Sequence, residues 1–265
     1  MPDIHPTAIV DPRASLAAGV VAGPYCIVGP DCSLAEGVKL HAHVVVDGRT
    51  RIGPGTEIYP FASIGMVPQD LKYRGEPSRL EIGARNRIRE HVTINPGTEG
   101  GGMVTRIGDD NLVMIGSHIA HDCIVGNHVI IANNVGLAGH VIVSDHAVIG
   151  ALSGVHQFVR IGAHAMVGGM SAVDADIIPY GSALGNRARL AGLNIVGLKR
   201  RGFPRQEIAR LKEAHALLFA DPDADTLNGR VEQTAARFAD SPAVMEIVTF
   251  LRNRGSRPLM QSVQG

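Results

Sequence analysis

Every sixth residue along most of this chain is a bulky aliphatic. The series runs from Ile4 to Ile64, resumes from Ile82 to Ile94, and resumes again from Ile107 to Val173. It covers 26 positions, and all but Ala22 are Ile, Leu or Val. A period of six matches neither the 3.6 of an α-helix nor the 2.0 of a flat strand. It is the period of a parallel β-helix, in which each hexad supplies one short strand and one corner. Three hexads close a triangular coil of 18 residues, so the series predicts nearly nine coils. With stacked strands about 4.8 Å apart, the prism is roughly 40 Å long.

The fifth position of each hexad is restricted to small residues, among them Ala8, Ala14, Cys26, Cys32, Thr50, Thr56, Ala62, Ser117 and Cys123. A bulky residue fills the interior and a small one fits where the chain turns. All three cysteines fall in this slot and are expected to be buried fillers, not disulfide partners or metal ligands. The 32 glycines and the absence of Trp suit a coil with many tight corners.

Acidic and basic residues balance at 25 each, which gives no electrostatic reason to expect nucleic acid. No uninterrupted apolar run reaches the length of a membrane span. The start, MPDIHPTAIV, lacks the basic and apolar regions of a secretory signal, so the expected location is cytoplasmic.

The hexads stop near Gly185. Beyond them Phe203, Ile208, Leu211 and Leu218 fall at helical spacing behind Pro204, which suits a first helical turn. Thr226 and Ser241-Pro242 are N-cap signals for two further helices with apolar faces at Leu227, Val231, Phe238 and at Val244, Ile247, Leu251. The reading is an all-β parallel β-helix over 1–189, followed by a C-terminal α-helical domain over 190–265.

Two segments break the repeat, 66–79 and 95–106. Grouped into coils, both breaks leave from one column, that of Ile64, Ile94, Ile119, Leu137, Val155 and Val173. The same column carries His121, then Gly139 and His140, then His156 and Gln157, with His118 expected at the adjoining corner. Residues 18 apart should stack: His121, Gly139 and Gln157 in one file, Asp122, His140 and Phe158 in the next. A purely structural prism has no need for two long loops and four histidines on one side, so a functional site is expected there. His128, His146 and His164 are also 18 apart, but at another corner. They are expected to be corner residues, with metal binding as the other reading.

Histidine beside a backbone N–H site suits acyl transfer. A neutral imidazole can take a proton from a hydroxyl nucleophile. His121 is the best-placed base, Asp122 can hold its tautomer, and Gly139 can offer an unobstructed N–H to an oxyanion. No nucleophile elbow, Walker loop or dinucleotide fingerprint is present. The Gly100–Gly102 run is too short to read as a phosphate loop.

The segments HIAHDC (118–123), PQDLKYRGEPSR (68–79), LAGHV (137–141), VHQF (155–158), Gly185-Asn186 and NIVGLKRRGF (194–203) resemble the UDP-N-acetylglucosamine O-acyltransferases of lipid A biosynthesis nearly end to end. The period does not fix the coil's hand, and parallel crossovers are normally right-handed. The resemblance implies a left-handed prism and a homotrimer with sites between neighbouring prisms. It implies transfer of a 3-hydroxyacyl chain from acyl carrier protein to the glucosamine 3-hydroxyl of UDP-GlcNAc. It implies no cofactor beyond the phosphopantetheine that carries the acyl donor, and no bound metal.

By matching motifs, His121 would be the general base, Asp122 its partner and Gly139 the oxyanion donor. Gln69, Asp70 and Lys72 would contact the sugar nucleotide. His118, His140, His156 and Gln157 would line the cleft, and Asn194, Arg200 and Arg201 would reach the uridine or phosphates. Gly169 matches the position that tunes acyl length. The chain departs from the family's pattern at Asn95-Pro96, commonly His-Arg, and at Val196, often Glu. A basic cluster including Arg187, Arg189, Lys199, Arg205, Arg210 and Lys212 would suit an acidic carrier protein. Two other readings share the fold: a zinc enzyme similar to the gamma-class carbonic anhydrases, and a non-catalytic scaffold that binds acyl carrier protein.

Overall fold

The computed structural model describes residues 1–219 and 226–262; residues 220–225 and 263–265 of the expected helical stretch lie outside the described residues. Among the described residues the hexads form three sheets of 11, 9 and 8 strands, here faces I, II and III. Most strands are two residues long and pair in parallel with the strand one coil away. Of each pair, the second residue points inward. From Val28 to Val173 every member of the sixth-residue series is buried. The first coil, with Ile4, Val10 and Leu16, is the open end of the prism and is only partly covered.

Several residues in the small slot donate to a corner carbonyl 15 residues on, whereas Thr50 Oγ1 donates back to Asp47 O (2.6 Å) and Thr105 Oγ1 accepts from Asp122 N (2.8 Å). Ser117 Oγ donates to Ala132 O (2.8 Å), Cys123 Sγ to Ala138 O (3.1 Å) and Ser153 Oγ to Gly168 O (3.0 Å). All three cysteines are buried and free, as the slot predicts. Burial pushes the Cys32 thiol up to about 11 and the Cys123 thiol up to about 12, which keeps both protonated.

Corner residues adopt positive φ. At the turn into face I these are His128 (φ 55°), His146 (61°) and His164 (58°). Left-handed backbone is unfavourable for a side-chain-bearing residue by about 1–2 kcal/mol. Two contacts offset it: each corner N–H bonds to a carbonyl one coil below, as in His146 N to Asn127 O (2.9 Å), and the rings stack. His128 and His146 lie 4.8 Å apart at 3°, and His146 and His164 lie 4.6 Å apart at 17°. Near-parallel rings keep their nitrogens one coil apart instead of converging on a point. The column is a structural stack, continued by Tyr180 and closed edge-on by Phe203 at 5.1 Å from His164.

The prism ends in a hairpin, Gly181–Leu184 with Arg189–Leu193, which extends face I. The helices follow: α1 (Ile195–Arg200), α2 (Arg205–Phe219), α3 (Leu227–Arg237) and α4 (Pro242–Arg252). Thr226 and Ser241 cap α3 and α4 by accepting from Gly229 N and Val244 N. Ile208, Leu211, Leu218, Val231, Phe238, Val244, Ile247 and Leu251 are buried, as the helical spacing requires. No helix among the described residues is long and apolar enough to cross a membrane.

The stack has a measurable consequence. Burial, with help from His146 and Arg201, lowers the His164 imidazole from 6.5 to about 4. The unfolded chain takes up that proton below about pH 6.5, whereas the folded chain refuses it until about pH 4. Stability therefore falls as pH drops from 6.5 to 4 and is indifferent to this group above 6.5. His164→Phe should keep the stack and flatten that limb in thermal unfolding followed against pH. An unchanged slope would show that the acid sensitivity lies elsewhere.

Candidate active site

Both interruptions of the repeat leave from the corner between faces II and III. Ile64 pairs with Ile94 and Ile94 with Ile119, offsets of 30 and 25, whereas Ile119 pairs with Leu137 at the regular offset of 18. The extra residues bulge outward at successive coils, directly below His121 and Asp122. The two loops are fastened together. Asn95 Nδ2 donates to Met66 O (2.9 Å) and Val67 O (3.3 Å), and Glu76 Oε1 accepts from Glu99 N (3.1 Å). Asn95, one of the departures from the family's pattern, thus holds the root of the first loop.

Asp122 sits at the corner with φ 60° and is 5% exposed. Its backbone N–H donates to Thr105 Oγ1 (2.8 Å). Its carboxylate accepts from Thr98 N (2.9 Å), Thr98 Oγ1 (2.6 Å) and His121 Nδ1 (2.8 Å). Gly101 closes over it: a Cβ there would lie 1.9 Å from the Asp122 carboxyl carbon. The short glycine run therefore lets the second loop cover the carboxylate. The bond to Asp122 places the His121 proton on Nδ1 and leaves Nε2 bare. On that side Asp70 Oδ2, from the first loop, stands 4.0 Å away, beyond hydrogen-bond reach.

Gly139 lies one coil above His121. A Cβ there would come within 2.5 Å of the His121 ring, so only glycine admits the imidazole. Its N–H has no protein acceptor among the described residues. His140 meets His121 edge-on at 5.1 Å and stacks on Phe158 at 4.3 Å, which is the predicted file of 122, 140 and 158. His118 is placed differently from the expectation. It is not at a corner but on the face II strand His118–Ile119, with Nδ1 2.7 Å from Thr93 Oγ1, because Ile119 occupies the inward position and its neighbour must face out. Burial lowers the pKa of both His118 and His140. The same burial favours the neutral form of both rings beside His121.

An elongated cavity of about 550 Å³ runs over face II beside these groups. Gln69, His118, His121, Gly139, His156 and Gln157 line it. Its floor is Gly136, Gly154 and Ala172, the outward positions of successive strands. A Cβ at Gly136 or Gly154 would meet nothing within 4 Å, and neither has positive φ. Neither backbone geometry nor packing within the chain demands glycine there, and its effect is an open trough. His121, Asp122 and His140 lie close enough together to suggest a metal cluster. The Asp122 carboxylate already accepts three hydrogen bonds, from Thr98 N, Thr98 Oγ1 and His121 Nδ1, so most of its acceptor capacity is spent within the protein.

Not every expected site residue reaches this cavity. Lys72 is exposed on the first loop, its N–H bonded to Asp70 Oδ1 (2.9 Å). Gly169 lies at the corner between faces I and II, outside the cavity lining. Asn194 caps α1 by accepting from Gly197 N (3.0 Å) and donates to His164 O (2.9 Å). Arg201 donates to His146 O (2.7 Å), and Arg200 is exposed. Asn194 and Arg201 therefore meet at the His146–His164 corner, away from the His121 of their own chain. Sequence reasoning missed Thr98, Thr105, Gly101 and Arg257. Of these, only the position of the second break gave any signal.

Known proteins resemble this chain in sequence and fold. Residues 176–260 match the family described as UDP N-acetylglucosamine O-acyltransferase, domain 2, and residues 105–139 match the bacterial transferase hexapeptide repeats. The acyl-[acyl-carrier-protein]–UDP-N-acetylglucosamine O-acyltransferase of Caulobacter vibrioides is 56% identical over 256 residues, 97% of each chain. The chain belongs to the UDP-N-acetylglucosamine O-acyltransferase family. Two solved structures agree along their whole length. LpxA from Acinetobacter baumannii is 46% identical with a TM-score of 0.94, covering 97% of this chain and 99% of that one. The Moraxella catarrhalis enzyme is 43% identical with a TM-score of 0.93 at the same coverages. The coil is left-handed, as the resemblance implied and against the usual rule for parallel crossovers. The chain is an O-acyltransferase, and the zinc-enzyme and scaffold readings fall with that membership.

The Gly139 contact gives a direct test. Gly139→Ala should push the His121 ring aside and lower kcat/KM on the order of 100-fold, the usual effect of an ångström's misplacement. Circular dichroism should show the prism intact. Near-normal turnover in a folded variant would remove Gly139 from the site.

Proposed function

We propose that this enzyme transfers a 3-hydroxyacyl chain from acyl carrier protein to the glucosamine 3-hydroxyl of UDP-GlcNAc, in the cytoplasm and as the entry to lipid A, with His121 as general base. The observation that carries the site assignment is the convergence of both loops on one histidine. Thr98 and Gly101 secure Asp122 behind the ring, and Asp70 stands off its bare Nε2. In this reading Nε2 takes the proton of the sugar hydroxyl as the oxygen attacks the thioester carbonyl. Asp122 stabilises the imidazolium, and Gly139 N–H receives the oxyanion. Collapse expels the phosphopantetheine thiolate, which takes the proton back from His121. The acyl donor is a substrate, and the step requires no resident metal or cofactor.

Gln69, Asp70 and Lys72 hold the sugar nucleotide from the first loop, and His118, His156 and Gln157 line its cleft with His140 packed edge-on against His121. Asn194, Arg200 and Arg201 serve the nucleotide site of a neighbouring copy in a homotrimer. The position of Asn194 and Arg201 at a different corner from their own chain's His121 supports this, as does the run of exposed apolar side chains at Phe61, Leu152 and Met170. The cationic patch near α1 receives the acidic carrier protein, with Lys199, Arg200 and Arg205 all exposed. The trough over Gly136 and Gly154 accepts the acyl chain, and Gly169 marks its depth at the edge of the same face.

Mass spectrometry of products from UDP-GlcNAc and a ladder of 3-hydroxyacyl carrier proteins reports acceptor atom and chain length together; an N-acylated product or none would overturn the assignment. His121→Ala should lose about 3–5 kcal/mol of transition-state stabilisation, within the range of general-base catalysis, with folding preserved. A Cβ at Gly154 meets nothing within 4 Å, so Gly154→Val is chosen to fill the trough. It should discriminate against long donors by on the order of tenfold or more while sparing short ones. An equal loss at every length would remove Gly154 from the acyl path.

A further inference from the structure

Arg257 belongs to no helix or hexad, yet its guanidinium reaches the cleft. Nε donates to Gln157 O at 2.8 Å and Nη2 lies 2.5 Å from His156 Nδ1. Both partners line the cavity. The arginine is delivered by the C-terminal segment, which is anchored independently of it. Asp176 N donates to Pro258 O (2.8 Å), Met260 N to Asp176 O (2.9 Å) and Leu190 N to Gln261 O (2.9 Å), and Met260 is buried.

A guanidinium has only donors. Its contact with His156 Nδ1 therefore requires a lone pair there, and the proton of the neutral ring must sit on Nε2. A competing arrangement lies close by: Gln157 O is 3.3 Å from the same Nδ1 and would accept a proton from it. Arg257 excludes that alternative by demanding the Nδ1 lone pair, while its Nε takes one acceptor site of Gln157 O. We propose that Arg257 is a positioning residue that holds His156 as the Nε2–H tautomer, so that His156 presents an N–H donor to a substrate oxygen in the groove. His121 and His156 are then held in opposite tautomers, one by a carboxylate and one by a guanidinium. The first leaves Nε2 to accept a proton, and the second leaves Nε2–H to donate a hydrogen bond.

The functional half of this inference rests on the acyl-transfer reading; the tautomer half does not. The test uses full-length protein and Arg257→Met, which keeps an apolar stem of similar length. With ¹⁵N-labelled histidine, His156 is assigned by comparison with His156→Ala. The unsubstituted protein should show a protonated Nε2 and a bare Nδ1, and Arg257→Met should move proton density to Nδ1. An unchanged ¹⁵N pattern in Arg257→Met overturns the proposal. In kinetics, Arg257→Met should lower kcat/KM on the order of tenfold, the worth of one hydrogen bond, without shifting the thermal midpoint. The same change on a His156→Ala background should cost nothing further. Losses that multiply would mean Arg257 acts elsewhere and would also overturn it. If the unsubstituted enzyme acylates no UDP-GlcNAc, the proposed function fails, and the ¹⁵N comparison still decides the tautomer.

Discussion

The fixed register of one coil on the next governs everything else in this molecule. Each strand bonds to a strand 18 residues away, and a slip of one residue would turn the buried aliphatics outward along a whole face. The 30- and 25-residue offsets at Ile64–Ile94 and Ile94–Ile119 show how extra chain is tolerated: it leaves at a corner and re-enters in register. Function is confined to what the ladder leaves free, namely corners and outward positions. The site uses both. His121 and Asp122 come from a corner, and the trough beside them comes from outward positions reduced to glycine.

The corners add a second constraint. The residue at positive φ needs compensation unless it is glycine, and a ring stacked on the ring one coil away supplies it. This explains why histidine occurs at 18-residue spacing in two places with different consequences. At 128, 146 and 164 the rings satisfy one another and Phe203 covers the end. At 122, 140 and 158 the first member is Asp122, which has no ring to stack and is instead covered by the second loop through Thr98 and Gly101. The same backbone slot thus gives a structural column at one corner and a fixed carboxylate at another.

What the sequence disclosed follows from this. The interior, the small slot of the cysteines and the helix caps at Thr226 and Ser241 depend on short-range pattern and were legible. So was the column shared by the two breaks and His121, because counting in eighteens is counting in space. Thr105 was hidden because a threonine in the small slot reads as a core filler whichever group its hydroxyl bonds, and Thr98 because it lies 24 residues from Asp122 through irregular chain that breaks the count. Arg257 was hidden for the same reason at a separation of 100 residues from Gln157. His118 was misplaced by one step because the outward residue of a two-residue strand reads like the end of a corner. Asn194 matched a family motif, while its engagement as the α1 cap shows only in three dimensions.

The 4.0 Å between Asp70 Oδ2 and His121 Nε2 ties these constraints to the chemistry. Asp122 is held by three donors on a prism that cannot shift register, so the imidazole is rigid from behind. Asp70 is on a loop fastened at its root by Asn95 and beyond its tip by Glu76, with the exposed Leu71-Lys72 turn between them. At 4.0 Å Asp70 Oδ2 makes no hydrogen bond to Nε2, yet it puts an acceptor beside that nitrogen. The His121 imidazole is therefore fixed by the ladder, and the Asp70 carboxylate beside it is carried by an insertion the ladder merely tolerates.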